Sequence, residues 1–525
     1  MFTLALSIGI YSYIIFLLGL LGFLYKETII LVSLIYLFTG FFLIRKKFNV
    51  YNLKDKIVNF VRRMHRLGLV LLSLIFIQSL VNLVGVLGPE LGFDALWYHL
   101  TIPKLYLSIH EIAHIPGSLF YYSDMPKFTE MLYVSALSFG TETIAKFIHF
   151  SFGILSLIAL YNLSRKFLSK TFSLLTLLLF YSNLVVGWMS VTAYIDLART
   201  FFELMALWGF LEFQQKKESK WLIVSAVLLG LAISVKLLSI GSLLIFSILI
   251  LTTFKYRSPI SSIVKKLITY CSFALFIPLP WFVFSKIHTG NPFYPFFSNI
   301  YPIKLNFNLI NPLNLSDPIS PLYVIFLPIA VLLYRKFKPA LKLVSLYCFL
   351  AIIIWYLTPQ TGGGRFILPY LPVFSIVCIA VLEMMKKKKI RYVFIGIIIF
   401  LSLFSIIYRG IANLKYVPVI LGKETKAQFL SDRLNFSFGD FYDTDEYFAK
   451  KIGQKDVVLL YGFHNLYYVN FPFIDSSYVK KGDMFNYIAV QGNNLPERFK
   501  FWNLIYYNDE TNVKLYSIGG LKWIY

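Results

Sequence analysis

Cysteine is nearly absent from this 525-residue chain: Cys271, Cys348 and Cys378 are the only three, each inside an apolar run. No CxxC pair occurs, which excludes a disulfide framework and a cysteine zinc site. Charge is scarce too. Only 14% of residues are Asp, Glu, Lys or Arg, against 58% hydrophobic, and the mean hydropathy is +0.69. A soluble chain of this length exposes far more charge, so composition excludes a soluble globular enzyme and indicates a polytopic membrane protein. Acidic residues number 26 against 50 basic, giving a net charge of +24. That excess does not point to nucleic acid, because the Lys and Arg gather in short loops between apolar runs, where they set topology. There is no repeat of fixed period and no low-complexity tract beyond MMKKKK at 384–389, a topology anchor. The N-terminus has no basic n-region and no small-residue cleavage site, and reads as a retained span.

Apolar runs near 3–24, 28–44, 68–87, 143–163, 171–190, 197–213, 220–235, 237–254, 267–284, 319–334, 341–357, 366–385 and 391–408 give about 13 candidate transmembrane helices. With Arg45–Arg66 placed in the cytoplasm, alternation puts the basic loops Arg165–Lys170, Gln214–Lys220, Lys255–Lys266, Arg335–Lys342 and Lys386–Arg391 on the same side. This works only if the chain breaks at Lys236. The expectation is therefore a cytoplasmic N-terminus and an external C-terminus in a plasma (inner) membrane. Three segments divide the chain: 1–67, two helices and a basic loop; 68–408, a transmembrane module with an external loop at 88–142; and 409–525, a small external α/β domain. In that tail KETKAQFLSDRL and DTDEYFAKKIG read as helices, and DVVLLYGF and NVKLYSIGG as strands.

The ionisable residues at the outer ends of the spans are Asp94, His99, Lys104, Asp124, Glu130, Asp196, Arg199, Lys236 and Arg365. Such groups near membrane depth are costly, and so tend to be paired or functional. Asp94, in LGFDALWYHLTIPKLYL, reads equally as a helix N-cap and as a carboxylate pinned at a loop mouth. His99 lies about 140° round a helix from it and does not share its face. The stretch WYHLTIPKLYLSIH reads as an interfacial helix lying on the bilayer. Lys236, in GLAISVKLLSI, is either a snorkelling lysine or a phosphate ligand. Arg365 follows three glycines in TGGGRFILPYLP, a pattern that suits either a flexible turn or a phosphate cradle. Asp196, in SVTAYIDLART, reads as a turn acid paired with Arg199.

The order of these stretches resembles the GT-C superfamily of membrane glycosyltransferases, which includes protein O-mannosyltransferases and aminoarabinose transferases. LGFDALWYHLTIPKLYL is similar to the family's first external loop, AYIDLARTFFELMAL to its second acidic loop, GLAISVKLL to its lysine between short helices and GGGRFILPYLP to its arginine segment. The resemblance covers roughly 68–410. It implies an inverting transfer of sugar from a polyprenyl-phosphate donor to a glycan, lipid or protein acceptor on the outer side. Asp94 would be the general base. Lys236, Arg365, His99 and Lys104 would hold the donor phosphate or headgroup, with Asp196 and Glu130 on the acceptor side or in support. One acid in the first loop favours chemistry without a cofactor or metal, leaving room for a divalent ion. There is no WWDxG-like signature, as an oligosaccharyltransferase would carry. A lipid-linked glycan handler that keeps the fold without catalysis is the alternative.

Overall fold

The computed structural model describes residues 1–45, 59, 62, 64–254, 259–299, 318–358, 360–519 and 522–525. Most of the basic loop 46–63, and residues 255–258 and 300–317 of two later loops, lie outside the described residues.

Every one of the 13 apolar runs carries a helix. In chain order these are α1 Phe2–Leu20, α2 Lys26–Arg45 and α3 Arg66–Leu87. After the first long loop, with α4 Thr101–Ile109 and α5 Phe128–Phe139, come α6 Glu142–Ser164, α7 Lys170–Tyr181, α8 Leu184–Met189, α9 Asp196–Lys216, α10 Ser219–Val235 and α11 Ile240–Phe254. The bundle closes with α12 Ile260–Phe276, α13 Leu279–Thr289, α14 Leu322–Leu333, α15 Pro339–Leu357, α16 Leu371–Met384 and α17 Lys388–Leu414. Among the described residues six helical segments are each long and apolar enough to cross a bilayer, and α12 with α13 forms a seventh bent by 61°. The chain is a polytopic helical membrane protein. Its outer helices present large apolar side chains outward: Phe38 is 65% exposed on α2, and Phe400 and Ile411 are each 66% exposed on α17. In water such a belt would aggregate; in lipid it is solvated.

The helical break at Lys236 is real. Helix α10 ends at Val235, Lys236 is extended, and a 3₁₀ turn at Leu237–Ser239 leads into α11. Helix α9 is the centre of the bundle, buried along nearly its whole length and packed on α10 and α6. The two N-terminal helices do not stand apart. Tyr11 and Ser12 of α1 donate to Ser135 Oγ at 2.9 Å and Phe128 O at 2.7 Å on α5.

The tail folds as a five-stranded mixed sheet in the order β2-β1-β4-β6-β5. Its strands are β1 Val458–Tyr461, β2 Phe473–Asp475, β4 Tyr487–Gln491, β5 Asn503–Asn508 and β6 Val513–Ser517, with a separate pair of β3 Met484–Phe485 and β7 Trp523–Ile524. β1 pairs in parallel with β2 and β4, while β6 is antiparallel to β4 and β5. Of the segments read as helices, KETKAQFLSDRL forms Lys426–Arg433 behind a Thr425/Gln428 capping box, and DTDEYFAKKIG forms the short Tyr447–Lys451.

Candidate functional site

The site sits where four breaks in the helical bundle converge: the loop after α3, the turn before α9, the break at Lys236 and the glycine turn before α16. Each break is fixed by buried polar groups. Lys146 of α6 donates to the carbonyls of Gly85, Gly88 and Pro89 at 2.8, 2.7 and 3.2 Å, closing the C-terminal end of α3. Glu90 then clips two loops together. Its Oε1 accepts from the Leu91 and Gly92 amides and its Oε2 from the Ala193 amide at 2.6 Å. His149 donates from Nδ1 to Thr192 O at 2.8 Å and accepts at Nε2 from Leu197 N at 3.0 Å, which fixes the neutral tautomer and the start of α9. Tyr133 donates to the carbonyl of Tyr194, and the Tyr194 hydroxyl accepts from the Asp94 amide at 3.2 Å.

These supports bring together four of the residues picked out by sequence. Arg365 Nη1 lies 2.8 Å from Asp94 Oδ2, and its Nη2 lies 3.3 Å from Asp196 Oδ2. Lys236 Nζ lies 2.8 Å from Asp196 Oδ1. Acid and base thus alternate along one chain, Asp94–Arg365–Asp196–Lys236. Arg365 lies over the Tyr194 ring at 4.4 Å and Lys236 over Phe366 at 4.8 Å. Both ends of the chain are partly exposed, Asp94 at 19% and Lys236 at 17%, while Asp196 between the two cations is fully buried and forms its dry floor. Asp94 does begin a turn, but makes no side-chain cap: it is αR and heads a π-helical stretch, Ala95–His99. Asp196 pairs with Lys236 and Arg365, not with Arg199, which bonds Glu203 at 2.8 Å. Arg365 is aimed by Gly363, whose φ of 52° and ψ of −137° suit only glycine.

Beneath this chain Glu203 gathers Arg199, Ser239 at 2.9 Å, Ser242 at 2.7 Å and Tyr347 at 3.3 Å, while Arg199 reaches the Tyr370 hydroxyl at 3.1 Å. The cluster ties the turn after Lys236 to the turn after Arg365, and so fixes the spacing of the two cations.

His99, Glu130 and Lys104, also picked out by sequence, are not members of this ionic chain. His99 donates from Nδ1 to Glu130 Oε1 at 2.8 Å, both side chains buried. Lys104 is engaged by the tail: its Nζ donates to Tyr467 O at 2.7 Å, Val469 O at 2.6 Å and Asn470 Oδ1 at 3.0 Å. Burial pushes that ammonium down to about 8. The tail also covers the mouth, with His464 stacked on Phe93 at 4.8 Å and Tyr468 donating to Glu90 O at 3.0 Å.

Sequence reading passed over Lys127. It is 2% exposed, and among the described residues its ammonium makes no hydrogen bond or ion pair. Burial pulls its ammonium below the usual lysine range, against the opposing charges of Glu130 and Asp124. A lysine beside a proline just before an apolar helix, in SDMPKFTEML, was the available signal. Glu90, Lys146 and Glu203 were missed because each acts across a long sequence gap. Among the described residues no three His, Cys, Asp or Glu gather into a metal-binding group. An apolar cavity of about 940 Å³ opens between α14, α15 and α16 and is lined by Tyr323, Leu327, Trp355, Phe374 and Ile367, two residues beyond Arg365.

The dolichyl-phosphate-mannose-protein mannosyltransferase family matches residues 131–282, which hold Asp196 and Lys236. Two crystal structures of ArnT from Cupriavidus metallidurans share this architecture. The one bound to undecaprenyl phosphate has a TM-score of 0.56 at 13% identity, and the apo one 0.57 at 14%; each match covers 85% of this chain and 97% of ArnT. At this identity the likeness to ArnT is one of fold. No curated protein sequence matches the chain significantly. The match spans nearly all of ArnT, so the bundle and at least part of the tail share its architecture.

Proposed function

We propose that this chain is an inverting glycosyltransferase that moves a sugar from a polyprenyl-phosphate donor to an acceptor at the external face of the plasma membrane. The observation that carries this reading is the Asp94–Arg365–Asp196–Lys236 chain, in which two cations and a partly exposed carboxylate share one cleft. In the proposed topology all 13 helical runs cross or enter the bilayer, the N-terminus is cytoplasmic, and the tail is external.

Phosphate is the leaving group, so negative charge grows on it as the bond breaks, and cations aimed there stabilise the transition state. Arg365 and Lys236 supply two. The apolar cavity beside Ile367 receives the isoprenoid chain; its volume is at the upper end of the ~300–1,000 Å³ typical of ligand pockets. The acceptor hydroxyl passes its proton to Asp94. Its oxygen attacks the anomeric carbon from the face opposite the phosphate, the bond from that carbon to the phosphate oxygen breaks, and polyprenyl phosphate leaves with the electron pair. Donor binding competes with Asp94 for Arg365, which frees the carboxylate as the acceptor arrives. Asp196 anchors both cations, and Lys104 anchors the tail rather than the donor. The fold of ArnT, one of whose structures is bound to undecaprenyl phosphate, supports the donor class.

The test is turnover. Protein in lipid nanodiscs is given polyprenyl-phosphate sugars with an acceptor extract from the native membrane, and released polyprenyl phosphate is measured. Release supports the transferase. Lipid binding without release by any donor would favour the glycan-handler reading.

A further inference from the structure

Three buried polar atoms of the first long loop have no hydrogen-bond partner among the described residues: His99 Nε2, Glu130 Oε2 and Thr129 Oγ1. The residues are 1%, 2% and 0% exposed. Native proteins hold few such atoms, because each one is costly, so three on neighbouring residues call for an explanation. The Nδ1–Oε1 bond of 2.8 Å locks His99 against Glu130, leaving the second nitrogen and the second oxygen as the pair's free ends. Thr129 lies one helical turn before Tyr133, on the face whose Tyr133 hydroxyl meets the Tyr194 carbonyl. The His99 ring is 5.7 Å from the Tyr194 ring, and Arg365 lies over that same ring. The His99 ring and the Asp94–Arg365 pair therefore meet at one tyrosine, and Arg365 Nε has no hydrogen-bond partner among the described residues.

We propose that His99, Glu130 and Thr129 form a hydroxyl-binding subsite that holds the sugar of the polyprenyl-phosphate donor and selects which sugar is transferred. This rests on the donor reading above. The chemistry matches a neutral polyol. A carboxylate oxygen accepts, a threonine hydroxyl donates and accepts, and the imidazole nitrogen completes a set that adjacent pyranose hydroxyls satisfy. An ionised phosphate diester has no proton to donate to the Glu130 carboxylate, and an apolar group would leave all three atoms unpaired. Sites built to hydrogen-bond a substrate hydroxyl discriminate strongly against ligands that lack it.

The experiment measures binding by the full-length protein in nanodiscs to undecaprenyl phosphate alone and to undecaprenyl-phosphate mannose, glucose and galactose. Wild type is compared with Thr129→Val, Thr129→Ser and Glu130→Gln. Thr129→Val keeps the side-chain shape and removes an unpaired atom, so the fold is retained. At least one sugar-bearing lipid is expected to bind more tightly than the bare lipid. Thr129→Val should remove up to about tenfold of that advantage, one hydrogen bond's worth, without changing bare-lipid affinity. Thr129→Ser should restore it, and Glu130→Gln should change the ranking of the sugars. If bare lipid binds but no sugar adds affinity, or if the variants weaken all lipids alike, the subsite is overturned and the donor reading survives. If wild type binds none of these lipids, the donor reading itself fails.

Discussion

Asp196→Asn removes one negative charge from the dry floor of the site and almost nothing of its shape. The carboxylate has zero exposure and faces Lys236 at 2.8 Å and Arg365 at 3.3 Å. Breaking a buried pair by neutralising one partner costs roughly 3–5 kcal/mol, mostly from the stranded opposite charge. Arg365 keeps Asp94 at 2.8 Å and Lys236 keeps the face of Phe366, so the low end, about 3 kcal/mol, applies. Asp94→Asn should cost only about 1 kcal/mol, because Asp94 is partly exposed and Arg365 keeps Asp196. In a thermal-shift assay in detergent this is a fall on the order of 5 °C for Asp196→Asn against about 2 °C for Asp94→Asn. Saturating undecaprenyl phosphate supplies the missing countercharge. It should therefore raise the melting temperature of Asp196→Asn by more than it raises that of wild type. An equal or smaller rise in the variant, or a larger loss for Asp94→Asn than for Asp196→Asn, would refute the reasoning.

Ala330→Phe, which narrows the apolar cavity, should weaken undecaprenyl phosphate in a binding assay while sparing farnesyl phosphate. Lys104→Met should loosen the tail, read as faster proteolysis between the bundle and β1 at unchanged bare-lipid affinity. Because burial lowers the Lys104 ammonium to about 8 in the folded state, the folded form binds fewer protons there than the unfolded form. Its charging penalty is full below pH 8 and fades as pH rises toward the free-lysine value, so the melting-temperature gap between wild type and Lys104→Met should widen from pH 8 to pH 10.

The helical frame was legible because apolar run length and basic-loop alternation are one-dimensional signals. Charge alternation alone demanded a break at Lys236, and α10 ends one residue before it. The four members of the ionic chain were each picked out, but their pairing was not. Arg365 and Asp94 are 271 residues apart, and Arg365 and Asp196 169. No local period reports a contact across such gaps, which is why Asp94 read equally well as a helix cap. The π-helical turn at Ala95–His99 defeated a count by 3.6-residue turns, and it delivers His99 to Glu130. In the tail β1 and β6 were read, whereas FPFID and NLIYYN, short or irregular strands among aromatics, were not. Lys104 read as a headgroup ligand because its acceptors, main-chain carbonyls more than 360 residues away, leave no trace in sequence.

The most direct measurement compares wild type with Asp94→Asn in nanodiscs, following undecaprenyl-phosphate release from a donor that wild type turns over, together with bare-lipid binding by both. The account predicts a loss of turnover of about 10²–10⁴-fold with bare-lipid affinity kept or improved, since Arg365 is freed for the phosphate. Turnover within a few-fold of wild type would contradict the assignment of Asp94 as the base.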